Sequence, residues 1–210
     1  MKILNLYSGV GGNRKLWQNA SITSVEIVPE IAAIYSDLFP QDEIIIGDAH
    51  EYLLKHFNEY DFIWSSPPCP THSRTMFFNH IKPQFPDMKL YEEIIFLQHF
   101  AKALWVVENV KSYYEPLIKP QETARHFFWS NFKITDNGTY TKVRNDAGYT
   151  LDKKMNERGI IIKDFNGYKG DKRKLLNNAI EPELGLHILN CALGSAVPEQ
   201  IGLFANASSK

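Results

Sequence analysis

Lys2-Ile3-Leu4-Asn5-Leu6-Tyr7-Ser8-Gly9-Val10-Gly11-Gly12 is an apolar, β-forming run that empties into a glycine-rich turn. A strand that delivers its chain into such a turn at a helix N-terminus is the opening unit of an open α/β sheet. The same alternation continues outward from it. Residues 2–7 read as a strand and 9–19 as a helix; 22–27 read as a strand and 29–38 as a helix. Pro29 stands near the first turn of that helix, where its missing N–H costs little. Residues 43–47, 61–65 and 104–107 read as further strands, separated by helices over 49–57 and 91–102. This order predicts an α/β fold, a mostly parallel sheet with helices on both faces. Farther on, 125–132 reads as a strand and 184–193 as a helix, and another helix begins within 198–204. The stretch 136–171 carries glycines, asparagines and scattered charges, which predicts hairpins or a small lobe.

A chain of 210 residues is long enough for one well-buried α/β domain with a small appendage. Its 44% hydrophobic and 22% charged content is that of a soluble globular protein. No apolar run approaches the roughly 18 residues that a membrane span needs. Met1 leads straight into a strand pattern, without a secretory cleavage region. Two cysteines make neither a disulfide framework nor a zinc cluster, which suits a reducing cytoplasm. No metal site is expected. The formal net charge of −1 leaves nucleic acid open as a partner, since a basic cleft can sit on a neutral protein.

Glycines at 9, 11 and 12 permit a tight turn and a close approach of ligand to backbone. A dinucleotide fingerprint wants a further glycine where Arg14 stands, so hydride transfer is disfavoured. Glu26 ends the second strand, where an acid accepts both hydroxyls of a ribose, and Asp48 ends the third, within reach of an adenine amine. Taken singly, either carboxylate is as well explained as a solvated strand-end charge or a helix cap. Three successive strand ends offering a glycine loop, a Glu and an Asp describe a nucleoside pocket.

Ser65-Ser66-Pro67-Pro68-Cys69-Pro70-Thr71-His72-Ser73 follows the apolar run 60–64. Each proline removes a donor, fixes φ and restricts the residue before it, so the loop is stiff and holds its thiol at a set position. A free cysteine is otherwise a small buried hydrophobe, a reading that the flanking prolines oppose. Glu108 directly follows Leu104-Trp105-Val106-Val107, where a carboxylate is costly unless paired or functional.

Tyr7-Ser8-Gly9-Val10-Gly11-Gly12, Glu26, Gly47-Asp48, Pro67-Pro68-Cys69 with Ser73, and Glu108-Asn109-Val110 stand in the order and strand context of the cytosine-C5 DNA methyltransferases. The chain resembles a small bacterial or bacteriophage member of that family over residues 1–110. Gln121-Glu122-Thr123-Ala124-Arg125 matches the family's Gln-x-Arg-x-Arg segment in part, with Thr123 at the first arginine. Gly194-Ser195-Ala196-Val197 resembles its Gly-Asn-Ala-Val, with serine for asparagine. The resemblance implies a Rossmann-like S-adenosylmethionine-dependent methyltransferase fold with a small recognition lobe, S-adenosylmethionine as cofactor and DNA as substrate. It implies that Tyr7, Ser8, Gly9, Gly11, Gly12, Glu26, Ile27, Asp48, Ala49, Pro67, Ser195 and Val197 hold the cofactor. Pro68, Ser73, Arg74 and Asn109 would meet the nucleotide. A Cys69 thiolate would add to C6 of cytosine and make C5 nucleophilic. Glu108 would hydrogen-bond N3 and the exocyclic amine, and Arg125 would contact O2 and raise the thiolate fraction. A stacked base is out of reach of such chemistry, so the target is flipped out or single-stranded.

The resemblance also divides the chain. Residues 1–132 are expected to form the catalytic and cofactor-binding domain, 133–174 a short target-recognition lobe, and 175–210 a segment returning to the catalytic domain. Lys142, Arg144, Lys153, Lys154, Arg158, Lys163, Lys169, Lys172, Arg173 and Lys174 make the lobe the most basic part of the chain. Tyr140, Tyr149, Phe165 and Tyr168 would stack on bases, unless this is simply a solvated lobe. So short a lobe implies contact with few bases, a single-stranded substrate or help from another subunit. His72 and Arg74 are candidates for phosphate contact. Segment 76–86, with Phe77, Phe78 and Phe85, corresponds to the family's loop after the cysteine. An RNA-directed branch with the same catalytic residues, a non-catalytic nucleic-acid-binding relative, and transfer of a group other than methyl are the competing readings.

Overall fold

The computed structural model describes residues 1–74, 85–135 and 149–196. Strands β1 (Lys2–Leu6), β2 (Ser21–Glu26), β3 (Glu43–Ile46), β4 (Phe62–Ser65) and β5 (Leu104–Val110) pair in parallel. Strands β6 (Gln121–Thr123) and β7 (His126–Ser130) complete the sheet as an antiparallel hairpin on β5. The order β3-β2-β1-β4-β5-β7-β6 changes direction between β1 and β4. Open α/β sheets bind their ligands at that switch point.

Side-chain alternation along the strands makes two buried faces. Leu4, Leu6, Ile63 and Val107 face α2 (Ala49–His56) and α3 (Lys89–Phe100), packing with Leu53, Ile94 and Leu97. Ile3, Phe62, Trp64, Val106 and Phe128 face α6 (Pro182–Ala196), packing with Leu184, Ile188 and Ala192. Burial of each such large apolar side chain contributes about 1.5–3 kcal/mol. Helix α1 (Pro29–Leu38) carries a third cluster. Its Ile31 and Ile34 pack with Val10, with Met155 of α4 (Leu151–Arg158), and with Leu175 and Leu176 of α5 (Lys172–Asn177).

The segment after β1 is not the helix expected over 9–19. It is a series of turns closed by Gly11 N–H to Ser8 O (2.9 Å), Lys15 N–H to Gly12 O (3.3 Å) and Trp17 N–H to Arg14 O (2.9 Å). Neighbouring glycines make a helix costly there. The segment's side chains are also committed elsewhere: the Asn13 amide donates to Asn5 Oδ1 (2.8 Å) and the Trp17 indole to the Gly185 carbonyl (3.1 Å). Arg14, expected to bar a dinucleotide, instead forks onto Asp42 at 2.6 and 2.8 Å. A Cβ on Gly11 would strike Phe39 and Tyr35, and one on Gly12 the Ile180 carbonyl, whereas Gly9, at φ 52°, has open space there. Gly9 leaves room for a ligand; Gly11 and Gly12 permit close packing within the protein.

Two further expectations are revised. The single strand expected over 125–132 is the second arm of the β6–β7 hairpin, which turns at Ala124 with φ 53°. In its described part, the region expected to form hairpins or a small lobe holds no hairpin but α4, capped by the Thr150 hydroxyl accepting Lys153 N–H (3.3 Å) and ended by Gly159 at φ 62°. Two of its basic residues turn inward. Lys154 Nζ donates to Asn177 Oδ1 (2.9 Å) and Arg158 Nη1 to the Ala179 carbonyl (3.1 Å), which removes both from any nucleic-acid surface. Tyr149 and Phe165 lie under Lys153 and Lys172, at 3.8 and 4.4 Å from ring centre to ammonium. Tyr140, Lys142, Arg144, Phe77, Phe78 and the helix expected within 198–204 lie outside the described residues. No helix among the described residues is long and apolar enough to cross a membrane.

Candidate active site

A cavity of about 170 Å³ opens beside the carboxyl ends of β1, β2 and β4, walled by Tyr7, Glu26, Ile27, Asp48, Ala49, Pro67, Pro68, His72, Lys89 and Leu90 among others. Glu26, in its wall, ties down the neighbouring glycine turn. One Glu26 oxygen accepts Gly9 N–H (3.0 Å) and the other Val28 N–H (2.9 Å). Each carboxylate oxygen keeps a second lone pair, so this anchoring leaves acceptor capacity for a diol. The Ser8 hydroxyl is buried without a partner among the described residues. Asp48 combines two of its expected readings. It caps α2 by accepting Glu51 N–H (3.1 Å) and it walls the cavity. That backbone hydrogen bond, helped by Lys89 nearby, holds its carboxyl below the usual range and so ionised. Ser195 falls in the last turn of α6, and Val197 lies outside the described residues.

Beneath the cavity sits a carboxylate with no assigned part in the sequence reading. Glu93 of α3 is completely buried. Its Oε1 accepts the Tyr7 hydroxyl (2.6 Å) and meets His50 Nδ1 (3.1 Å), and its Oε2 accepts the Ser65 hydroxyl (2.6 Å). One side chain thus ties the ends of β1 and β4 to α2 and fixes Tyr7, whose backbone is left-handed at φ 55°. The visible signal was an acid on the apolar stripe of α3, flanked by Leu90, Ile94 and Leu97. Glu93→Leu strands three buried polar partners and is expected to cost about 3 kcal/mol, roughly 10 °C in thermal denaturation. The hydrogen bond to Glu93 raises the His50 pKa. Its contribution to stability is therefore full below the ordinary histidine value and declines as pH rises through the raised one. That decline is smaller in Glu93→Leu, where only Glu92, 3.4 Å from Nε2, still favours the charged ring, and melting curves taken across this range measure the difference.

The nucleophile loop is held from β5. The buried Asn109 amide donates to the Pro67 carbonyl (3.0 Å), so Asn109, expected at the nucleotide, clamps the loop instead. Past the cysteine, His72 and Ser73 N–H groups return to the Cys69 carbonyl (2.9 and 3.1 Å), and Arg74 Nε donates to the Ser112 carbonyl (2.9 Å). His72 is buried, with Nδ1 2.6 Å from the Tyr114 hydroxyl, which takes it away from phosphate contact; burial depresses its pKa and keeps it neutral. Pro68 is exposed on the cavity's rim. Cys69 is partly exposed, and burial, then the neighbouring Glu108 charge, push its thiol pKa up. Lys174 is the cation that opposes this shift.

Glu108 is nearly buried at the end of β5, where it meets a residue that sequence reasoning passed over. His126 Nδ1 stands 2.6 Å from Glu108 Oε1. Arg125, expected at the base, is half-exposed and donates to Glu181 Oε1 at 2.9 Å. The positive φ of Ala124 rotates its neighbour toward the start of α6. The arrangement therefore sets a thiol on a rigid loop, an acid beside it on the adjoining strand, and a cleft bordered by the two prolines before the thiol.

Residues 1–117 match the family described as C-5 cytosine-specific DNA methylase. No curated protein matches the chain. Among solved structures, the Entamoeba histolytica methyltransferase EhMeth aligns with a TM-score of 0.61 over 93% of this chain and 98% of its own, at 11% identity, a likeness of fold. A DNMT2 variant from Spodoptera frugiperda shares 25% identity over 52% of this chain, with a TM-score of 0.38. Dnmt2 from S. pombe shares 22% over 52%, also with a TM-score of 0.38. This chain covers only 35% and 34% of the length of those two proteins.

Proposed function

Since the chain belongs to the C-5 cytosine-specific DNA methylase family, we propose that it methylates C5 of cytosine in DNA through a covalent Cys69–C6 adduct on an extruded base. The observation that carries this reading is the pairing of Cys69, on its proline-framed loop, with Glu108 close enough to act on the thiol's charge. Cytosine C5 is a weak nucleophile, and covalent addition at C6 is the remedy open to a thiolate. S-adenosylmethionine supplies the electrophilic methyl group when bound. The residues walling the cavity fit it: Glu26 for the ribose hydroxyls, Asp48 for an amine, and apolar Ile27 and Leu90 against a ring.

The chain's own part is as follows. The Cys69 thiolate forms the bond to C6 while the C5–C6 π pair shifts onto the ring, and the Glu108 proton passes to N3. Once C5 is alkylated and its proton is lost, the S–C6 bond breaks, the double bond reforms and N3 returns its proton. Asn109 keeps the loop in register with β5 throughout. Residues 133–174 are the proposed target reader, with exposed Lys163, Lys169, Lys172 and Arg173 as phosphate contacts. So small a reader favours a short or relaxed site, and bisulfite mapping that returned a long, strict site would count against it.

The test offers labelled S-adenosylmethionine with single-stranded DNA, duplex DNA and tRNA in parallel, followed by mass spectrometry of the nucleosides. The expected product is 5-methylcytosine in DNA. Label confined to tRNA would move the assignment to RNA, and no labelled pyrimidine in any substrate would overturn it.

A further inference from the structure

His126 occupies a position that the chemistry above does not use. On the β5–β7 ladder Glu108 is paired with Phe128 and Val110 with His126, so Glu108 and His126 are diagonal neighbours on one sheet face. Nδ1 lies 2.6 Å from Glu108 Oε1, and only 7% and 8% of the two side chains is exposed. The other ring nitrogen, Nε2, is buried and makes no hydrogen bond among the described residues. Glu181 Oε2 faces it at 3.9 Å. Glu181 is fixed in turn, its Oε1 receiving Arg125 Nη2 at 2.9 Å and lying 3.9 Å from Arg158 Nη1.

The number of protons in this row follows from its charges. A neutral imidazole donating from Nδ1 to a Glu108 carboxylate would aim a bare Nε2 lone pair at the Glu181 anion, in a site closed to water. That arrangement is both repulsive and unsatisfied. With one more proton, Nε2–H faces an anion that two guanidinium groups stabilise, and the Nδ1–Oε1 contact becomes a short charge-assisted bond sharing a proton. Glu108 also acts on the thiol of Cys69, in the β4–α3 loop, where Lys174 of α5 opposes it.

We propose that His126, backed by Glu181, is a positioning residue that holds Oε1 of Glu108 and keeps Glu108 supplied with the proton it donates to cytosine N3. This rests on the cytosine reading above. As sulfur bonds to C6, one of the pair's two protons passes through Glu108 to N3, which leaves a neutral imidazole beside the Glu108 carboxylate. When elimination restores the C5–C6 double bond, N3 returns the proton to Glu108. The pair consumes neither proton nor electrons. Arg125 then acts through Glu181, one step removed from the base.

The experiment measures adduct formation with a 5-fluorocytosine oligonucleotide against pH, for wild type, His126→Gln and Glu181→Gln. Wild type is expected to give a bell, rising with Cys69 ionisation and falling where the shared proton is lost. His126→Gln keeps an N–H for Glu108 but carries no titratable proton. Its falling limb is expected to move to lower pH, with roughly tenfold less adduct on that limb than wild type. Glu181→Gln moves the same limb less far, and unchanged S-adenosylmethionine binding shows that the variants fold. A uniform loss across pH in His126→Gln would mark a merely structural residue and overturn the proposal. So would ¹⁵N-histidine spectra of the full chain showing Nε2 of His126 without a proton at neutral pH. Those spectra need no turnover. A protonated His126 in a wild-type protein that forms no adduct would overturn the cytosine reading, and with it the proton's destination, while leaving the pair itself intact.

Discussion

Cys69→Ser is expected to abolish the covalent adduct with 5-fluorocytosine DNA and to lower methyl transfer by roughly 10³-fold or more, with cofactor binding kept. Serine preserves the loop, because the prolines and the Asn109–Pro67 bond, not the side chain at 69, set its shape. What is lost is an ionisable sulfur. The native thiol is itself held above its ordinary pKa by burial and by Glu108. A pKa raised in this way has two measurable results. The thiolate fraction climbs with pH through and beyond the ordinary thiol range, so iodoacetamide labelling of Cys69 is slow at neutral pH and accelerates about tenfold per pH unit. Folding also favours the neutral thiol, so its share of stability is intact below the ordinary thiol value and is lost as pH rises toward the raised one. Lys174→Ala removes the opposing cation and should slow labelling further.

Glu108→Gln is expected to lower the rate of adduct formation by about 10²–10³-fold, because an amide matches the shape of the acid but has no proton to give N3. Wherever the shared proton is absent and Glu108 is charged, the same substitution removes a negative charge that raises the thiol's pKa. Labelling of Cys69 should therefore become faster at a given pH even as catalysis collapses. Opposite signs in two assays on one variant separate a chemical role from general damage. Slowing of both would show that Glu108 holds the loop together, and the proposed division of labour would be wrong.

The parts that were legible share a cause. Strand runs such as Leu104-Trp105-Val106-Val107 and the proline at the start of α1 act locally, so spacing alone exposes them. The thiol mount and the acid at a strand's end are likewise local anomalies, a stiff loop and a misplaced charge. What stayed hidden depends on partners far along the chain. Glu93 makes sense only beside Tyr7, 86 positions away, and Asn109 only beside Pro67, 42 away. The diversion of Arg125 depends on a positive φ at an alanine, for which no residue type gives notice, and on Glu181, 56 positions later. Lys154 and Arg158 were read as surface charge by composition, but their polar ends find partners around α5 and the residues after it. The helix missing after β1 is a contest that packing won: Trp17 and Asn13 gain more from Gly185 and Asn5 than from regular backbone bonding.

The contact between that first turn and Gly185 has a bearing on how the protein comes into being. Gly185 lies where any β-carbon would run into the Asn13 backbone, so helix and turn are fitted to each other without slack. A ribosome delivers the turn 168 positions ahead of its counterpart. Until then the nascent sheet presents Ile3, Trp64 and Phe128 bare along one side, a greasy surface inviting chaperones or neighbours. Close fitting of the first turn is thereby deferred until α6 has been made, and a product stalled short of α6 would be sticky.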